Sequence, residues 1–151
     1  MKRPLITIIG SFLYTGFFPF APATFASLVW LLVWLYVPGG RWMSHPIALA
    51  LTLPVSVWVS GVMEGYYGED APAIVIDEFV GMQVTFLFAA PSLSTGIAGF
   101  LLFRVFDIVK PFPAGRSQRL PGGIGVVTDD LLAGLYSLAA LSLLIRFTGL
   151  S

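Results

Sequence analysis

Apolar stretches at residues 5–20, 24–37, 46–63, 73–90, 94–106 and 131–147 fill most of this 151-residue chain. Crossing a bilayer core takes about 20 helical residues, with a range of about 17–25. The stretches 46–63, 73–90 and 131–147 reach or approach that length. The others must borrow flanking residues, tilt, or enter without crossing. The expected fold is all-α: a multi-spanning membrane helical bundle of about four or five transmembrane helices, since helices satisfy their own backbone in lipid. Charged residues make up only 11% of the chain and hydrophobic ones 57%. Ordinary soluble domains carry about 25% charged residues, so polar side chains are too few to cover a water-facing globule. The bland alternative is an apolar soluble core masked by a partner.

Length predicts one domain, residues 1–151, and no internal repeat divides it. Residues 5–20 contain several small residues and run into Pro19 and Pro22. They are expected to form a short helix and then a re-entrant loop, tolerable where protein shields the backbone from lipid. Pro38-Gly39-Gly40-Arg41 and Pro91-Ser92 should each end a helix, and Lys110-Pro111-Phe112-Pro113 should stop a third. Residues 120–125 read as a glycine-rich loop, after which Thr128 would cap a last helix beginning near Asp129. Met1-Lys2-Arg3, the apolar run and Ala21, Ala23 and Ala26 imitate a secretory signal. Thr7, Gly10, Ser11 and Gly16 dilute that run, which favours an uncleaved N-terminus. If residues 5–20 do not cross, Lys2 and Arg3 share the cytoplasmic side with Lys110, Arg116 and Arg119. Arg41 then falls alone on the other side.

Net charge is zero and no basic stripe interleaves with aromatics, so no nucleic-acid partner is expected. Cysteine is absent, which removes disulfides, thiolate metal sites and cysteine nucleophiles. His45, the one histidine, sits beside Pro46 far from every acid and reads as a helix-entry residue rather than a ligand.

All eight acidic residues lie between Glu64 and Asp130. A carboxylate in or beside a membrane span is costly unless paired, neutralised or metal-bound, so its default reading is functional. Asp77-Glu78 and Asp129-Asp130 are tandem pairs. Consecutive helical residues point about 100° apart, so one member can face the bundle while its neighbour faces another element. Oxygen ligands from separate helices suit a hard cation such as Mg²⁺. The bland reading is a helix N-terminus for one pair and a nearby base for the other. Arg104, Asp107 and Lys110, spaced i, i+3, i+6, would share a face that could bind phosphate. They could equally be a simple ion-pair ladder. The glycines 122–125 could approach a phosphate with backbone N–H groups, or simply turn the chain.

Three segments then carry a specific resemblance. Ile74-Val75-Ile76-Asp77-Glu78-Phe79-Val80-Gly81-Met82 resembles the I-V-x-D-E-x-x-G-M signature of the phosphatidylglycerophosphatase A family. Residues 103–113 are similar to its F-R-x-x-D-x-x-K-P-x-P segment. Residues 122–134 are similar to its G-G-x-G-x-x-x-D-D-x-x-A-G block. Residues 19–28 resemble its P-x-x-P-G-T-x-G-S-L block, with Ala23 and Ala26 in place of two glycines, so the turn expected there should differ. Asp70 resembles a family aspartate that precedes the first signature.

The resemblance implies a Mg²⁺-dependent lipid phosphatase. It would convert phosphatidylglycerophosphate to phosphatidylglycerol and inorganic phosphate in the bacterial inner membrane, with its active site facing the cytoplasm. It implies catalytic Asp77, Glu78, Asp107, Asp129 and Asp130. Metal contacts would come from Asp77, Glu78, Asp129, Asp130 and Asp70, and phosphate contacts from Arg104, Lys110 and Thr24. The alternatives are a small cation- or proton-coupled carrier, whose buried acids relay ions, and a non-catalytic subunit of a lipid-synthesis complex.

Overall fold

The computed structural model of the protein describes residues 2–117 and 119–150, and also leaves the Lys2 side chain undescribed; Met1, Gln118 and Ser151 lie outside the described residues. Within them all regular structure is helical. The helices are α1 (Lys2–Gly10), α2 (Pro22–Tyr36), α3 (Pro46–Tyr67), α4 (Ile76–Thr85), α5 (Leu93–Val109), α6 (Ala114–Ser117) and α7 (Gly123–Thr148), with single 3₁₀ turns at Thr15–Phe17 and Gly40–Ser44.

Local chemistry sets these limits. Pro22 and Pro46 open α2 and α3 at a position where the missing N–H costs nothing. His45 caps α3, its Nδ1 accepting from the Ile47 N–H at 3.2 Å, which is the entry role expected of it. Ser92 caps α5 by accepting from the Thr95 N–H. Lys110 ends α5 by turning left-handed, at φ 47°. Ala21, also left-handed, precedes α2. Ala23 and Ala26 instead lie inside α2, where alanine is at ease, so the two glycine replacements strain nothing.

The N-terminal segment folds back on itself. Arg3 at the start of α1 lies over the Tyr66 and Tyr67 rings at the end of α3, and Phe17 meets the same Tyr67 ring edge-on at 5.7 Å. Its deepest point packs against α3 at Gly10, where a Cβ would fall 2.1 Å from Met63 Sδ. α2 then leads away from this end, and α3 returns to bring Tyr67 beside Arg3. α5 and α7 lie antiparallel, with Gly99 early in α5 facing Leu141 late in α7 and Lys110 just after α5 reaching Asp129 early in α7.

α4 occupies the middle. Every residue of this helix except Phe79 is buried, and α7, α3, α2 and α5 surround it, α7 most extensively. Two glycines permit that approach. A Cβ on Gly81 would lie 2.3 Å from the Phe103 ring, and one on Gly134 would lie 2.6 Å from the Gly81 carbonyl oxygen. Helices pack closely in lipid through such small residues. A stack of Trp30, Trp34 and Phe86 fills the core below α4.

Two expectations fail here. The stretch 73–90 is not one long helix. α4 has ten residues, about 15 Å at 1.5 Å per residue, too short to cross. Its apolar run leaves the helix at Phe86, which packs against Trp30 and Trp34; hydropathy does not distinguish a core-facing residue from a lipid-facing one. Second, α7 begins at Gly123 rather than near Asp129, and the glycine-rich segment is its first turn. A Cβ on Gly123 would fall 2.0 Å from the Val57 carbonyl oxygen, so glycine lets the helix start directly against the α3 backbone. Thr128 is mid-helix, its hydroxyl donating back to the Ile124 carbonyl. Two helices, α3 with 22 residues and α7 with 26, are long and apolar enough to cross a membrane.

Candidate functional site

The first turn of α4 carries Asp77 and Glu78, the second turn of α7 carries Asp129 and Asp130, and the end of α5 carries Arg104 and Asp107. The close α4–α7 crossing allowed by Gly81 and Gly134 brings these together. One carboxylate oxygen from each of Asp77, Glu78 and Asp130 lies within 4.8 Å of the other two. All three side chains are buried, and Asp77 Oδ1, Glu78 Oε2 and Asp130 Oδ2 have no hydrogen-bond donor. Acceptors buried without donors are expensive. Three carboxylates this close together are residues that could hold a cation with oxygen preference.

The bases flank this group. Arg104 Nη1 lies 2.9 Å from Asp107 Oδ2, as their i, i+3 spacing predicts. Their geometry falls short of a hydrogen bond, and Arg104 Nη1 and Nε are buried without an acceptor. Asp107 is near enough for its charge to act on Glu78, Asp129 and Asp130, and that of Arg104 acts on Glu78. Lys110 leaves the face it was expected to share, because α5 stops at Val109. Its Nζ instead donates to Asp129 Oδ2 at 2.5 Å. Burial works against the Lys110 ammonium, but the hydrogen bond and charge of Asp129, backed by Asp107 and Asp130, outweigh it and hold its pKa above the usual lysine value. The lysine therefore stays cationic at neutral pH.

The acidic pairs divide differently. Asp77 and Glu78 both join the three-acid group, since α4 is enclosed and both directions lead inward. Asp129 and Asp130 split, one to Lys110 and one to the group. Asp70 stands outside the three. It sits on the loop before α4 at φ 47°, its backbone N–H donating to Glu64 Oε1, with its charge reaching only as far as Asp129 in the site. Thr24 is half-buried in the first turn of α2 and has no side-chain hydrogen bond to the described residues. Glu64 and Glu69, set aside in the sequence as loop acids, line with Asp70 and the α7 glycines a cavity of about 30 Å³, room for about one water. Nothing local in the sequence marks that cavity, which depends on where α3 ends.

A family model described as Phosphatidylglycerophosphatase A matches residues 8–145, which takes in every element that builds the site. The chain belongs to the phosphatidylglycerophosphatase A family. It is accordingly a phosphatase. A relative from Bacteroides thetaiotaomicron, carrying the provisional name phosphatidylinositol-3-phosphatase, is 38% identical, over 91% of this chain and 92% of its own. The phosphatidylglycerophosphatase A of Escherichia coli is 32% identical, over 82% of this chain and 73% of its own. That of Haemophilus influenzae is 48% identical across 45% of this chain and 43% of its own. No solved structure matches.

Proposed function

We propose that the protein removes the terminal phosphate of phosphatidylglycerophosphate, releasing phosphatidylglycerol and inorganic phosphate, and that it uses Mg²⁺. The observation that carries the reading is the set of donorless oxygens on Asp77, Glu78 and Asp130 beside the acceptorless N–H groups of Arg104. Three buried acid oxygens are without a donor, and Arg104, although 2.9 Å from Asp107, keeps two buried nitrogens without an acceptor. A phosphate monoester with a hard divalent ion supplies partners for both.

Asp77, Glu78 and Asp130 would hold the ion. When bound, it would offset the charge of the phosphate and stabilise that building on its oxygens. Arg104 offers planar N–H groups to those oxygens and Lys110 a point charge. Asp107 and Asp129 fix these bases, each through its ion pair. Water attacks phosphorus in line, a carboxylate of the site takes its proton, and the bond to the glycerol oxygen breaks as that oxygen is protonated.

The helix directions support five passages through the membrane, four by α2, α3, α5 and α7 and one by the buried α4 together with the chain that continues it to Pro91, with α1 re-entrant. Arg3, Lys110, Arg116 and Arg119 then share one side and Arg41 and Arg146 lie towards the other, which orients the acid cluster to the cytoplasm of a bacterial inner membrane.

The Bacteroides relative gives a second substrate, a phosphatidylinositol 3-phosphate, also a monoester on a lipid headgroup. Purified protein in detergent, supplied with each lipid and with or without Mg²⁺, decides between them. We expect phosphate release from phosphatidylglycerophosphate that stops on chelation and returns with Mg²⁺. Preferred release from the inositol lipid would transfer the assignment. Chelator-insensitive release would remove the metal, and no release from folded protein would leave the carrier reading.

A further inference from the structure

The re-entrant N-terminal segment builds a second feature that the acid cluster does not use. Arg3, Pro4, Thr7, Tyr14, Phe17 and Tyr67 line an open cleft of about 340 Å³. Among the described residues Arg3 is its only charged side chain. The guanidinium carbon lies 5.0 Å from the Tyr66 ring centre and 5.8 Å from that of Tyr67. Cation–π contacts of this kind orient an arginine while leaving its N–H groups unspent. No carboxylate among the described residues pairs with it.

A second donor stands nearby. Thr7 Oγ1 and Tyr67 Oη share one hydrogen bond at 3.1 Å. Two hydroxyls joined by one bond use one hydrogen between them, so the other remains free to donate. The cleft therefore presents a fork-shaped cation and a spare hydroxyl hydrogen over walls of proline and aromatic rings. Its chemistry is anionic at one end of the ligand and apolar at the other.

We propose that this cleft binds the phosphate of an anionic membrane phospholipid, with an acyl chain lying against Pro4, Tyr14 and Phe17. It is distinct from the acid cluster, none of whose residues lines it. Soluble phosphate would satisfy Arg3 but not the apolar walls. A zwitterionic lipid would bring a cation towards the guanidinium. The proposal rests on the chain being embedded in a membrane, and not on the phosphatase reaction.

The test uses full-length protein in neutral detergent, with Arg104→Ala as background so that lipid phosphate is not held at the acid cluster. Fluorescent phosphatidylserine and phosphatidylcholine are titrated, with inorganic phosphate as competitor. Phosphatidylserine should bind more tightly than phosphatidylcholine. R3Q should weaken phosphatidylserine binding about tenfold, the loss expected for a charge-assisted contact. R3K should retain part of it, and Thr7→Val should give a smaller loss. Arg3 is exposed, so the variants should elute and melt as the parent does. Equal affinity of parent and R3Q, equal binding of the two lipids, or displacement of lipid by inorganic phosphate as effectively as by unlabelled phosphatidylserine would each overturn the proposal. Because binding is read without turnover, this result and the phosphate-release result are independent.

Discussion

Arg104 and Lys110 are both cations in the site, yet they are held by opposite means. Arg104 projects from a helical turn and leaves two nitrogens without acceptors. Lys110 sits where the helix has ended, with a backbone that suits glycine better than lysine. Arg104→Ala should lower turnover by about 10²–10³, the loss typical of removing one preorganised donor from a transition state, with the melting temperature little changed. Lys110→Ala and Lys110→Gly should both be nearly inactive. The glycine variant should be the more stable of the two, by about 1 kcal/mol, because it relieves the left-handed backbone and alanine does not. Equal stabilities by thermal melting would show that φ at this position carries no cost. Asp130→Asn removes one of three converging charges and should raise the Mg²⁺ concentration for half-maximal activity by at least about tenfold. An unchanged requirement would take Asp130 out of the cation site. The tandem acids were visible in the sequence because charge is conspicuous in an apolar run. Their division was not: whether Asp129 or Asp130 meets Lys110 depends on the angle at which α7 crosses the end of α5, which no local pattern encodes.

At the level of elements, the α4–α7 crossing holds the acids in register. Gly81→Ala places a methyl against the Phe103 ring, and Gly134→Ala places one against a backbone oxygen. Both should destabilise the protein by about 1–3 kcal/mol, as overpacked cores do, and reduce activity by separating α4 from α7. The two should differ in rescue. Phe103→Leu vacates the space that the methyl added by Gly81→Ala needs and should restore part of the lost melting temperature. It should do nothing for Gly134→Ala, whose obstacle is main chain. Rescue of both, or of neither, would contradict this packing. The helical class, the short first helix followed by a turn, and the breaks at Pro38 and Pro111 were legible in the sequence, since proline, glycine and run length act locally. The shortness of α4 was not. Most of α4, and Phe86 after it, face the protein core, a role that hydropathy does not separate from facing lipid. The start of α7 was misplaced for a related reason: its glycines answer to the α3 backbone, a partner more than fifty positions earlier.

Across the whole molecule, every acid lies towards one end, and the helix directions put the chain termini at opposite ends. The lack of cysteine makes this directly measurable. Single cysteines at Leu120 and Trp42, both exposed, should react with an impermeant maleimide from opposite sides of sealed vesicles, Leu120→Cys only when the cytoplasmic face is open. Labelling of both from the same side would remove the five-passage arrangement. The burial of α4 has one more consequence. Asp77 and Glu78 ride on a short helix enclosed by the bundle, with Asp130 of α7 facing them. In the proposed reaction a lipid would therefore have to bring its phosphate in to them while its tails stay in one leaflet. Under that arrangement the protein would sample a single monolayer. Lipid in the opposite monolayer is invisible to it until something carries that lipid across, and total conversion in a closed vesicle would then plateau at the share of substrate on the open side.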